Sequence, residues 1–270
     1  MIPLSYRSTH KPSRSELADT RWKEEQLWRG LVGAWFMPEG GGLTAYDYSG
    51  YGNHGTLINN PIWTLGKFGR ALDFNGISHY INVGSPPAHN FPNHVSVVVF
   101  AKLDNVSSVQ CFIGQVVAGS GVSGQYVVEV GRTASRITII WNSTVIHTSS
   151  INLVTNQWYQ IAWSRSGGAG AWISTIHING VFDSEVTSSV ATGSQQPTAI
   201  ARAGDFNGEY FDGIIDHVCL WNRMLIASEV KQLYRNHFPD VRRRTWFVPS
   251  GAPTTVLKDI IGMGVIPFAR

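Results

Sequence analysis

Gly208-Glu-Tyr-Phe-Asp-Gly-Ile-Ile-Asp-His-Val-Cys-Leu-Trp-Asn222 decides the fold. It sets a glycine turn against an apolar run, Gly213 to Trp221, of the composition that buried strands favour. One carboxylate, Asp216, sits inside that run and needs a partner, because an unpaired buried carboxylate is costly. A second signature, Asp47-Tyr-Ser-Gly-Tyr-Gly-Asn-His-Gly55, again joins a carboxylate to a tightly turned backbone. If the fold brings the two together, they can close a β-sandwich around a hard cation.

Working outward, strand-like runs recur at Leu31 to Met37, Ala71 to Phe74, Tyr80 to Val83, Val95 to Lys102, Gln125 to Val130, Arg136 to Trp141, Trp158 to Arg165 and Trp172 to Asn179. Gly, Asn, Ser or Pro clusters separate them, which is the rhythm of an all-β sandwich of two antiparallel sheets. Val95 to Phe100 is apolar on both faces, so it reads as central or covered. Ile226, Val230, Leu233 and Tyr234 fall at helical spacing and predict one short helix after the last core strand. Ser13-Arg-Ser-Glu16 has capping-box spacing and predicts a helix over residues 14–28, either packed on the sandwich or serving as a partner-binding arm. The organisation expected is a helical leader at 1–29, a sandwich at 30–236 and a C-terminal tail at 237–270.

Composition excludes several classes. The chain has 270 residues, 11% aromatic and 14% charged, enough apolar material for one large core and little of the Glu and Lys that helical surfaces carry. A net charge of +3 is too mild for a nucleic-acid surface. The two cysteines, Cys111 and Cys219, do not form a disulfide framework, although a single bridge between them stays open. Met1 to Arg14 lacks the apolar stretch of an export signal, and no run approaches the roughly 20 apolar residues of a membrane span.

From Gly30-Leu-Val-Gly-Ala-Trp35 through Asp47 to Gly55, Gly69-Arg-Ala-Leu-Asp-Phe-Asn-Gly76, Gln157-Trp158, Ile178-Asn-Gly180, Phe211-Asp-Gly-Ile-Ile-Asp216 and Leu220-Trp-Asn-Arg-Met-Leu225, the chain resembles the laminin-G-like, concanavalin-A-like jelly rolls. The resemblance runs in order over about residues 30 to 236 and implies a two-sheet jelly-roll sandwich. The basic leader, and Leu233-Tyr-Arg-Asn236 followed by arginines, resemble jelly-roll proteins encoded in bacteriophage genomes. That likeness implies a non-enzymatic virion protein, a capsid decoration or tail-associated component made in the host cytoplasm and oligomeric in the assembly. Its partners would be other virion proteins and a host-surface glycan. The alternative is a carbohydrate-binding, lectin-like module.

Site expectations follow. Many members of the family hold calcium at the rim of the sandwich, and the matching positions are Asp47, Asn53 and Asp216, the cofactor being one structural calcium ion. The competing reading gives Asp47 and Asn53 to Asx-type turns, with Asp216 accepting hydrogen bonds from that loop. Arg242, Arg243, Arg244, Trp246 and Phe247 suggest a tail that docks on another protein, the aromatics weighing against a solvated basic tail. For sugar binding, Tyr46, Tyr48, Tyr51, Trp63 and Tyr210 could form a platform, although such aromatics more often anchor loops or cores. Hydrolysis finds no carboxylate pair: Asp212 and Asp216 on one strand stand about 13 Å apart, at about 3.3 Å per residue. The histidines lack metal-ligand spacing and read as surface or half-buried residues.

Overall fold

A computed structural model describes residues 26–116, 123–168, 170–203 and 209–236. In chain order the strands are β1 (Leu31–Trp35), β2 (Thr44–Ala45), β3 (Gly55–Ile58), β4 (Ile62–Leu65), β5 (Arg70–Asn75), β6 (Tyr80–Gly84), β7 (His94–Leu103), β8 (Gln110–Val116), β9 (Ser123–Val130), β10 (Ile137–Trp141), β11 (Thr144–Thr148), β12 (Trp158–Gly168), β13 (Ala171–Ile178), β14 (Val181–Ser188), β15 (Thr198–Ile200) and β16 (Asp212–Trp221). Helix α1 (Ala227–Asn236) follows β16.

Two antiparallel sheets result. The first runs β14-β13-β12-β7-β16-β5-β4, with β1 also on β16, and the second runs β11-β10-β9-β8-β15-β6-β3-β2. In the first sheet β16 is the organiser. One edge pairs with β7, while the other gives Asp212 to Ile215 to β5 and Val218 to Trp221 to β1. A register shift between Ile215 and His217 falls at that handover, so Asp216 occupies a bulge, which bends the strand and re-aims its side chains.

Side chains alternate across β7: Val95, Val97, Val99, Ala101 and Leu103 enter the inter-sheet core, and Val98 and Phe100 point the other way. The outward face is also buried. Leu27, Leu31, Phe36, Tyr48, Cys219, Trp221, Leu225, Val230 and Leu233 close over it as a second apolar cluster. The Trp221 indole donates to the Leu27 carbonyl at 2.7 Å, tying residues 26–28, which are helical, to the last strand. The remainder of the helix expected at 14–28 lies outside the described residues, as does the tail beyond Asn236. Helix α1 is started by Glu229, whose carboxylate accepts from the Ile226 N–H at 3.0 Å and pairs with both terminal nitrogens of Arg223.

Between the sheets, polar contacts close the far edge. His147 on β11 hydrogen-bonds Ser174 on β13 at 2.9 Å and Ser184 on β14 at 3.0 Å. This corrects the expectation of surface or half-buried histidines: His147 and His177 are both buried. Burial pushes His147 down to about 4, so it is neutral at physiological pH and bridges the two sheets uncharged. Arg165 is buried at the same end, its guanidinium 3.8 Å from the Trp141 ring and 4.0 Å from the Trp172 ring, with one nitrogen donating to the Val190 carbonyl. Cys111 and Cys219 are free thiols, buried in different apolar clusters.

Glu39 lies under the outer layer of the first sheet, 7% exposed, accepting hydrogen bonds from the Tyr46 N–H and the Tyr48 hydroxyl through one oxygen while the other has no partner. Burial pushes its carboxyl up to about 7. The folded state therefore holds the proton better than the unfolded chain. The stability this gives is complete below the ordinary value of 4.5 and is lost as pH rises through about 7. Glu39→Gln, which keeps the acceptor and removes the charge, is expected to stabilise the protein at pH 8 by up to about 3 kcal/mol, at about 1.4 kcal/mol per pH unit, and to change little at pH 4. Urea melts at the two pH values check this; equal destabilisation at both contradicts it.

Candidate functional site

The Asp47 loop folds onto β1 through one carboxylate. Asp47 is buried, and Oδ1 accepts from the N–H groups of Ala34 and Ser49, both at 2.9 Å. Its Oδ2 accepts from the Ser49 hydroxyl at 2.8 Å and the Asn53 N–H at 2.9 Å. The Asn53 side-chain amide donates to the Val32 carbonyl, and the Asn53 carbonyl accepts from the Trp35 indole. An Asx turn has thus become a clamp between the loop and β1.

Asp216 does other work. From its bulge, Oδ2 accepts from the Phe68 N–H at 2.8 Å, and Oδ1 bonds Nδ1 of His217. The turn it holds approaches so closely that a Cβ on Gly66 would stand 2.3 Å from Oδ2, which requires glycine there. The loop that Asp216 anchors is therefore the one at Gly66 to Phe68, not the Asp47 loop.

Asp47, Asn53 and Asp216 consequently do not fit the calcium expected of them. The Asp47 oxygens are committed to four donors, the Asn53 amide is turned to a carbonyl, and Asp216 is engaged with a different loop. Among the described residues no group of three or more His, Cys, Asp or Glu side chains is arranged to hold a metal ion. The sequence showed that these carboxylates need partners; it could not show that backbone N–H groups would supply them. The docking residues Arg242, Arg243, Arg244, Trp246 and Phe247 lie outside the described residues.

The five aromatics do not make one platform. Tyr48 is buried, Tyr46 packs edge-on against His54, and Trp63 donates to the Gly42 carbonyl. Tyr51 is exposed by itself at 58%. Tyr210 instead meets Tyr80, the first residue of β6. Their ring centroids are 6.2 Å apart, and the Arg202 guanidinium lies 4.8 Å from the Tyr80 ring and 5.6 Å from the Tyr210 ring. The backbone explains the meeting. Ile81 and Phe211 fill the core, so their neighbours Tyr80 and Tyr210 face outward, and Arg202 pairs with Tyr210 in an isolated bridge. All three are half-buried.

Beside this cluster a second arginine is neutralised. Arg132 pairs with Glu129 and, at 2.8 Å, with Glu209, the residue before Tyr210. Burial pushes the Glu129 carboxyl up to about 6, Arg132 opposing the shift. With both carboxylates bound to one guanidinium, they are not a free acid and base pair. Asp212 and Asp216 also diverge, Asp212 packing under Gly76 while Asp216 holds the Phe68 turn.

The loss of the expected metal shell has a direct consequence. Adding millimolar calcium or a chelator is expected to leave the melting temperature unchanged, whereas Asp47→Ala, which strands four donors, lowers stability by roughly 2 to 4 kcal/mol. Differential scanning fluorimetry decides; a calcium-dependent rise in melting temperature that Asp47→Ala abolishes would contradict this account.

Among the described residues no helix is long and apolar enough to cross a membrane. No curated protein matches the sequence significantly. In solved structures the sandwich is similar to domain 4 of AbnA, a GH43 extracellular arabinanase from Geobacillus stearothermophilus, in complex with arabinotriose: 20% identity over 76% of this chain and 98% of that one, TM-score 0.58. The binding domain of Paraclostridial Mosquitocidal Protein 1 is 14% identical over 80% of this chain and 54% of its own, TM-score 0.63. A Trypanosoma rangeli sialidase is 14% identical over 76% of this chain and 32% of its own, TM-score 0.58. These likenesses establish a shared fold. A family model, Laminin_G_3, matches residues 75–231, more than half of the sequence. The chain belongs to the family that this model describes, the concanavalin A-like lectin/glucanases superfamily.

Proposed function

We propose that this chain is a non-catalytic carbohydrate-binding domain that takes a saccharide on the outward face of its second sheet, at Tyr80, Arg202 and Tyr210. The observation that carries the reading is the meeting of two half-exposed tyrosine rings with an arginine against both, on a face where the neighbouring strands present small or polar side chains, Ala199 and Asn82. Sugar rings offer apolar C–H faces to aromatic rings and hydroxyls to polar groups, and this cluster supplies both kinds of partner. The arabinanase domain in complex with arabinotriose supports the reading at the level of fold. The pairing of Glu129 and Glu209 with Arg132 supports binding without turnover.

The virion role rests on short terminal likenesses, of which the leader before Gln26 and the arginines after Asn236 lie outside the described residues, and the geometry favours the saccharide reading over it.

A glycan array followed by calorimetry, with arabinotriose among the probes, tests the proposal. Tyr80→Ala and Tyr210→Ala are each expected to weaken saccharide binding about tenfold, since a stacked ring contributes about 1 to 1.5 kcal/mol. Tyr51→Ala and Trp63→Ala should leave affinity unchanged. Binding that ignores both tyrosines of the cluster and falls with Tyr51 or Trp63 would move the site to the rim loops.

A further inference from the structure

Arg202 stands apart from the paired arginines of the sandwich. Arg132 is held by Glu129 and Glu209, Arg223 by Glu229 and three backbone carbonyls, and even buried Arg165 donates to the Val190 carbonyl. Arg202 makes no hydrogen bond and no ion pair among the described residues. Its contacts are the faces of Tyr80 and Tyr210, and its Nε is buried without an acceptor. The nearest acid in sequence among the described residues, Glu209, is already committed to Arg132 at 2.8 Å.

A guanidinium is a planar fork of five N–H donors that matches a carboxylate through two parallel hydrogen bonds. Packed against two rings, it has lost part of its hydration and of its conformational freedom before any ligand arrives, so little further ordering is needed on binding. A neutral hydroxyl would use one or two of those donors and leave the charge unmatched. A carboxylate on a sugar ring would match both the fork and the charge, while the ring itself covers a tyrosine face.

We infer that the Tyr80, Arg202 and Tyr210 cluster selects acidic saccharides, sugars whose ring carries a carboxylate, with Arg202 as the specificity-determining residue. This rests on the saccharide-binding reading and narrows it. The rings provide sequence-tolerant stacking, and Arg202 discriminates. Salt weakens the acidic ligand selectively, because screening acts on the charge pair and not on the stacking.

The test uses the full chain and two matched pairs of probes: a hexuronic acid oligosaccharide against its carboxyl-reduced counterpart, and sialyllactose against lactose. At least one acidic member is expected to bind about tenfold tighter than its neutral match, and Arg202→Gln should close that gap, the acidic ligand losing about tenfold more affinity than the neutral one. Arg202→Lys, which keeps the charge without the fork, should recover part of the preference. Equal affinity of the acidic and neutral members in both pairs overturns the inference and leaves saccharide binding standing. An acidic preference that survives Arg202→Gln overturns the assignment to Arg202. Binding of no saccharide, neutral or acidic, overturns the saccharide reading itself. The comparison within each pair is made on the unsubstituted protein, so it stands even if a variant folds poorly.

Discussion

The central strands of one sheet are buried on both faces, and most of the molecule follows from that. β7 and β16 send Val97, Val99, Ile215 and Leu220 into the inter-sheet core, and Val98, Phe100, Cys219 and Trp221 into the layer behind. Neither strand could face water on either side without exposing several large apolar groups, each worth about 1.5 to 3 kcal/mol on full burial. The chain meets the demand with its own flanks: Leu27, Phe36, Tyr48 and the Val230 and Leu233 face of α1 cover the outer side. The centre of the first sheet therefore has no free face to offer a ligand. The proposed saccharide site lies instead on the outward face of the second sheet, where Tyr80, Arg202 and Tyr210 stand.

The carboxylates serve this architecture by recruiting donors. Asp47 gathers four hydrogen bonds and ties its loop to β1, which is itself paired to β16. Asp216 uses the bulge in β16 to hold the turn at Gly66 to Phe68. With Asp47 bound to four donors and Asp216 turned to a different loop, residue types that suit calcium do not come together at one rim site.

Much of the fold was legible because periodicity is local. Valine and aromatic alternation marked the strands, and the doubly apolar run at Val95 to Phe100 announced a strand covered on both sides. The glycine-flanked aspartates announced turns. What the sequence could not show was partnership across long separations. Arg202 sits in an unremarkable Ala-Arg-Ala stretch, Tyr80 opens a short strand, and only the pairing of β6 with β15 and the Arg202 to Tyr210 bridge brings them together. The glycine-rich signature beside Tyr210 groups it with Tyr46, Tyr48, Tyr51 and Trp63, but Tyr48 is claimed by Glu39 and the outer core. The bulge that takes Asp216 out of register likewise leaves no composition signal.

The claim that recognition lies on the second sheet is tested most directly by amide hydrogen exchange with and without a bound saccharide. Protection on binding is expected in residues 79–82, 199–203 and 209–211, with the Asp47 loop unchanged. Protection confined to residues 47–55 and 66–68 would place the ligand at the rim and contradict the account.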